Sequence, residues 1–342
     1  MEFISEYGLF LAKSITVLVA IVVVISAIAV ASQRNKKENT DGHIEVTTLN
    51  HRYEDWEDLL KFEILDESSF KKERKAKKKK EKEDRKKGED QHRKRLYVLD
   101  FDGDMSASDV EFLRHEISAV LTVARAEDEI LVRLESPGGM VHSYGLAASQ
   151  LQRIRAKSIP LTIAIDRVAA SGGYMMACIG DRIMAAPFAV IGSIGVVAQL
   201  PNFNRLLKKH DVDIELHTAG AHKRTLTMVG ENTDEGRKKF VEELEDTHVL
   251  FKEFVSENRP ILDIDHIATG EVWYGKRALD EKLIDEIRTS DDYLLSQRDD
   301  ADIYAVSYRQ KRSLSERMGL AAETAISRSL SSFWAKLSLN KY

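Results

Sequence analysis

From residue 95 to 195, short and nearly continuous apolar runs alternate with longer segments of helical period, and that alternation limits the chain to few architectures. RLYVLDF (95–101) is followed by helix-like ASDVEFLRHEISAVLTVA (107–124), and EILVRLE (129–135) by a helical stretch across 141–157. LTIAID (161–166) follows Pro160, and DRIMAAP (181–187) leads to a glycine turn, GSIG (192–195). Strands this uniformly apolar are buried on both faces, which requires helices to cover a sheet. The predicted class is therefore α/β with a mostly parallel sheet. At 342 residues and 43% hydrophobic content the chain can bury a large core.

The N-terminus adds a second constraint. Residues 14–31 hold 18 consecutive residues without a charge. That is close to the roughly 20 helical residues a bilayer core needs, and predicts a membrane anchor over 1–32. Ala29-Val30-Ala31 resembles a signal-peptide cleavage site, the rival reading. The long apolar core and the two glutamates among the first twelve residues favour a retained anchor. Arg34, Lys36 and Lys37 follow the run at once, a charge bias that favours a cytoplasmic body.

Residues 33–94 read as a membrane-proximal segment. HIEVTTLN (43–50) alternates weakly like a strand, and YEDWEDLLKFEIL (53–65) reads as a short amphipathic helix. KKERKAKKKKEKEDRKK (71–87) carries twelve basic and four acidic side chains, so it is a solvated helix or a disordered spacer. Its basic excess suits anionic lipid better than nucleic acid, and a net charge of -5 offers no case for a nucleic-acid partner. The tail, 311–342, reads as amphipathic. Cys178, the sole cysteine, sits among Met175, Met176 and Ile179 as a small buried hydrophobe.

Chemistry gathers at two glycine turns that follow strands, Ser136-Pro137-Gly138-Gly139 and Ser171-Gly172-Gly173. Neither matches a phosphate loop or a dinucleotide fingerprint, and the second is not a G-x-S-x-G elbow. Exposed backbone N–H groups at such turns can stabilise an oxyanion. A nucleophilic Ser171 requires a base. Among the histidines His142 is the nearest candidate, but no motif supplies a carboxylate to orient it. Lys223, at the end of strand-like IELHT (214–218), is the second candidate. An ammonium among apolar neighbours loses solvation and yields its proton more readily, so this role requires burial. His217 and His222 show no metal-binding spacing, and no metal or cofactor is expected.

The ordered set ESPGG (135–139), VAASGGYMMACIGDRIMAAP (168–187), IGSIGV (191–196), AGAHKRTL (219–226) and ATGEVWYGKRALDEKLIDEI (268–287) resembles the S49 family of membrane-bound serine peptidases. The likeness is greatest to its SohB branch, related to signal peptide peptidase A. The resemblance implies a ClpP/crotonase-like domain over 95–310, built of repeated ββα units. It implies a Ser-Lys dyad of Ser171 and Lys223, with Ser193 orienting the lysine. It further implies an oxyanion hole from the backbone of Gly139 and Gly172, with Gly138 a possible third donor. Glu135 stands where relatives often carry asparagine. Implied partners are peptide or protein substrates with small or apolar residues near the scissile bond, the lipid bilayer of an inner membrane, and further copies of the chain. Such relatives in double-membrane bacteria generally hold their catalytic body in the periplasm. A crotonase-like acyl-CoA hydratase or isomerase, a Ser-His-Asp peptidase on the same fold, and a non-catalytic membrane scaffold are the alternatives.

Overall fold

The computed structural model describes Thr16 and residues 42–87, 93–220 and 223–310. Ile44–Tyr308 forms one compact unit; Met1–His43 with Arg309–Tyr342 forms the other, nearly all of it outside the described residues. The tail 311–342 and, apart from Thr16, the apolar run 14–31 also fall outside them. No helix among the described residues is long and apolar enough to cross a membrane.

The apolar runs become strands because both of their faces are covered. Along β2 (Lys94–Asp102), Tyr97, Leu99 and Phe101 enter one cluster, while Leu96 and Val98 enter another. β3 (Glu129–Glu135) divides in the same way, with Ile130, Val132 and Leu134 on one side and Leu131 on the other. Successive strand side chains alternate faces, so an unbroken apolar run loads both. The first face is covered by α3 (Val110–Leu121), through Leu113, Ile117 and Val120, and by α4 (Val141–Arg155), through Ala147, Ala148, Leu151 and Ile154. The second is covered by Leu49 of α1 (Leu49–Ile64) and by Tyr293 and Leu294 of α10 (Ser290–Gln297).

A seven-stranded sheet runs β1 (His43–Thr48), β10 (Ala301–Arg309), β2, β3, β4 (Leu161–Ile165), β6 (Arg182–Ala185), β9 (Glu286–Ile287). A second sheet of three strands runs β5 (Val168–Ala170), β7 (Val190–Gly192), β8 (Val272–Tyr274). In it β5 and β7 are parallel, whereas β7 and β8 are antiparallel. This corrects the expected ClpP/crotonase-like fold of one mostly parallel sheet made of repeated ββα units. β2 passes to α3 and β3 to α4 with no second strand between them, and the separate sheet is of mixed direction. The fold is a two-sheet, mixed α/β arrangement.

The spacer 71–87 continues a helix, α2 (Glu67–Lys87), that begins at Glu67. IELHT does not form a strand: 212–218 has no regular structure and pairs with no edge. From Gly195 to Thr233 the only regular element among the described residues is the single-turn α6 (Asn204–Lys209). Cys178 is fully buried, and burial pushes its thiol up to about 12.

Candidate active site

The two glycine turns meet because β5 is sewn to the end of β3. Ser136 bridges Ala169 in parallel, with its N–H donating to Val168 O at 2.9 Å and its O accepting from Ala170 N at 3.0 Å. The chain leaves β5 directly into Ser171, so the turn after β3 and the turn after β5 lie against each other. A Cβ on Gly138, which has φ +91, would stand 2.7 Å from Ser171 Cβ and 2.8 Å from Gly172 N. No side chain fits there, and the conformation itself disfavours one.

Ser171 has φ 53 and ψ -118 and is the N-cap of α5 (Gly172–Ala177). A residue bearing a Cβ in this region costs on the order of 1–3 kcal/mol. Two backbone bonds hold it there, from Ser171 N to Gly192 O at 2.8 Å and from Met175 N to Ser171 O at 3.0 Å. Ser193 arrives by the same sheet, since the register Ala170↔Gly192 sets the residues after β5 and β7 side by side. Ser193 has φ 52, and its N–H donates to Glu271 O at 2.7 Å. Glu271, immediately before the antiparallel strand β8, thus fixes the Ser193 turn.

Ser171, Gly139 and Gly172 line one cavity of about 70 Å³, with Val141, Met175, Gly195, Val196, Val197, Thr247 and Phe251. No charged side chain lines it. Met175 and Phe251 are buried, whereas Val141 and Val197 are exposed at its mouth. Thr247 and Phe251 come from α7 (Asp234–Asn258). Their i, i+4 spacing puts them on one face, but periodicity gives no signal of what that face meets.

The amides of the first turn are not equivalent. Gly138 N–H donates to Ser136 Oγ at 3.1 Å, so it is already occupied. Gly139 N–H and Gly172 N–H donate to no group among the described residues. Lys223 is not brought to this cavity: it is exposed on the irregular segment before α7, with its N–H donating to Gly220 O at 3.2 Å. The burial its expected role requires is therefore not provided by the described residues, among which that segment has no strand partner. His142 is exposed near the start of α4 and lines no part of the cavity. Glu135 forms a solvent-exposed ion pair with Arg167 at 2.9 Å.

Comparison with known proteins adds an independent line. The model of peptidase family S49, N-terminal, matches residues 2–151, and that of peptidase family S49 matches residues 153–304. The chain is 53% identical over 332 residues to a probable protease SohB of Haemophilus influenzae, covering 94% of each. It is 50% identical over 307 residues to the probable protease SohB of a Buchnera aphidicola subspecies, covering 86% of this chain and 100% of that one. A putative signal peptide peptidase SppA of Enterococcus faecium is 28% identical over half of each chain. Among solved structures, two mutants of a 1510-N membrane-bound stomatin-specific protease superpose with TM-scores of 0.40 and 0.36, each at 15% identity. They cover 60% and 59% of this chain, and 85% and 80% of their own.

Proposed function

The chain belongs to peptidase family S49 and is a serine peptidase closely related to SohB-type proteases, and from that premise we propose a specific site and mechanism. Ser171 is the nucleophile, Lys223 the general base, Ser193 the hydroxyl that orients the lysine, and the N–H groups of Gly139 and Gly172 form the oxyanion hole. One observation supports this reading above others: a serine held at φ 53 shares a small cavity with two glycines whose N–H groups are unengaged. Gly138 drops out as a donor, because its N–H is spent on Ser136 Oγ.

Lys223 in its neutral form takes the Ser171 proton as Oγ attacks the peptide carbonyl. The developing oxyanion accepts from the two free amides. Collapse expels the amine, which receives the proton from Lys223; water then attacks the acyl-enzyme as Lys223 takes its proton, and the second collapse breaks the ester bond, releases the acid and returns that proton to Ser171 Oγ. The uncharged cavity favours an uncharged side chain beside the scissile bond. Its volume is roughly five times the ~15 Å³ that houses one water, room for a few heavy atoms and not for a large aromatic ring.

Lys223 in this role needs cover that the described residues do not supply. The same irregular stretch exposes Val197, Phe203, Leu206, Ile214 and Leu216, an amount of apolar surface that marks an interaction region. We assign it to contact between copies in a homo-oligomer, and the run 14–31 to a single-pass inner-membrane anchor. The test is kinetic: Ser171→Ala and Lys223→Ala each abolish peptide hydrolysis while the melting profile stays intact. Full activity in Lys223→Ala rejects the dyad.

A further inference from the structure

Two buried side chains outside the proposed dyad connect the halves of the oxyanion hole. Ser136 and Tyr144 are both fully buried. Tyr144 O–H donates to Asp104 O at 2.7 Å, and Ser136 Oγ lies in short hydrogen-bond contact with Tyr144 Oη. A phenol has one proton to give, and Tyr144 gives it to Asp104 O. The Ser136 hydroxyl is therefore the donor to Tyr144 and the acceptor from Gly138 N–H. Every bond in the series Gly138 N–H, Ser136 O–H, Tyr144 O–H, Asp104 O points the same way, an arrangement in which each link strengthens the next. Burial raises the phenol above its ordinary value, which keeps that proton in place.

The ring of Tyr144 serves the other half. A Cβ placed on Gly172 would fall 2.3 Å from Tyr144 Cγ, so the Gly172 backbone rests directly on the ring. One tyrosine, anchored in α4, thus supports Gly172 through its face and Gly138 through its hydroxyl.

We propose that Tyr144 and Ser136 are positioning residues for the oxyanion hole. They occupy the Gly138 N–H, leave that of Gly139 as the free donor of the turn, and hold it at fixed spacing from the N–H of Gly172. The inference rests on the assignment of Ser171 and the two amides made above. An oxyanion donor has value only if its geometry is set before charge develops, so loosening this brace reduces turnover without weakening substrate binding.

Tyr144→Phe keeps the ring and deletes the hydroxyl. With a fluorogenic peptide it lowers kcat about 10-fold while KM stays within about 2-fold. Affinity for a peptide boronate, whose tetrahedral adduct uses the same donors, falls by a similar factor. Ser136→Ala gives an equal or larger loss, and the double variant loses no more than Ser136→Ala alone, because both act through one series of bonds. Unchanged kcat in Tyr144→Phe, or losses that multiply in the double variant, overturn the inference. Tyr144→Phe decides the matter alone if Ser136→Ala fails to fold. Boronate inhibition of the unsubstituted protein reports on Ser171 itself. Its absence would remove the reading of the site, whereas inhibition that Tyr144→Phe leaves unaltered removes only the brace.

Discussion

At Ser171 the backbone is held where an L-residue is strained, and the proposed role of its hydroxyl as nucleophile would account for a side chain being kept there. Ser171→Gly should abolish hydrolysis and yet stabilise the fold by about 1 kcal/mol, since glycine occupies φ 53 without penalty. Thermal unfolding alongside an activity assay checks both halves. Ser193→Ala should slow turnover less completely than Ser171→Ala, about 10-fold, because it removes an orienting group and not the attacking atom. Glu135 stands at the edge of the first glycine turn, and its pair with Arg167 is exposed. Glu135→Asn is therefore expected to change stability by less than about 0.5 kcal/mol, measured by denaturant titration.

At the scale of elements, α7 closes the cavity floor with Phe251. Phe251→Leu enlarges the cavity while keeping an apolar side chain, so cleavage after larger apolar residues should rise relative to cleavage after alanine. A peptide library profiled before and after the substitution reads that ratio, and an unchanged profile argues against a floor at Phe251. The amino end of β3 carries a different device. Glu129 accepts from Lys94 Nζ at 2.5 Å, Tyr293 Oη at 2.6 Å and Thr162 Oγ1 at 2.7 Å. Burial pushes this carboxyl upward, but the three donors outweigh it and hold it below the ordinary glutamate value. A depressed carboxylate stabilises the fold fully above its unfolded value near 4.3, and that contribution is lost as pH falls through the folded value. Glu129→Gln should thus lower stability at neutral pH and flatten its decline in acid.

The legibility of these elements followed from their neighbours. β2 and β3 could be read because burial on both faces writes a continuous apolar run, and the turn at Ser171 because glycines follow it at a strand end. IELHT looked like a strand by composition but lacks an edge to pair with, which no local pattern records. The small β5–β7–β8 sheet escaped for a related reason: its strands are three residues each, too short to show a period. The contacts of Tyr144, Ser136 and Phe251 could not be read because they depend on distances between segments far apart in sequence.

For the whole molecule, the proposed anchor and the proposed contact between copies would make attachment and assembly part of the mechanism. Hydrolysis per chain should rise with protein concentration if copies cover Lys223, and sedimentation in detergent would show the matching association. Sidedness sets the resemblance, which favours the periplasm, against Arg34, Lys36 and Lys37, which favour the cytoplasm. Digestion of the catalytic body in intact spheroplasts identifies the periplasmic arrangement, and protection until the membrane is opened identifies the cytoplasmic one. Neither result alters the chemistry assigned to the cavity. That chemistry is tested most directly by treating the full chain with a fluorophosphonate and locating the adduct by mass spectrometry. A single adduct on Ser171, absent from Ser171→Ala, is the predicted result; an adduct on another residue, or labelling that survives that substitution, would contradict the account.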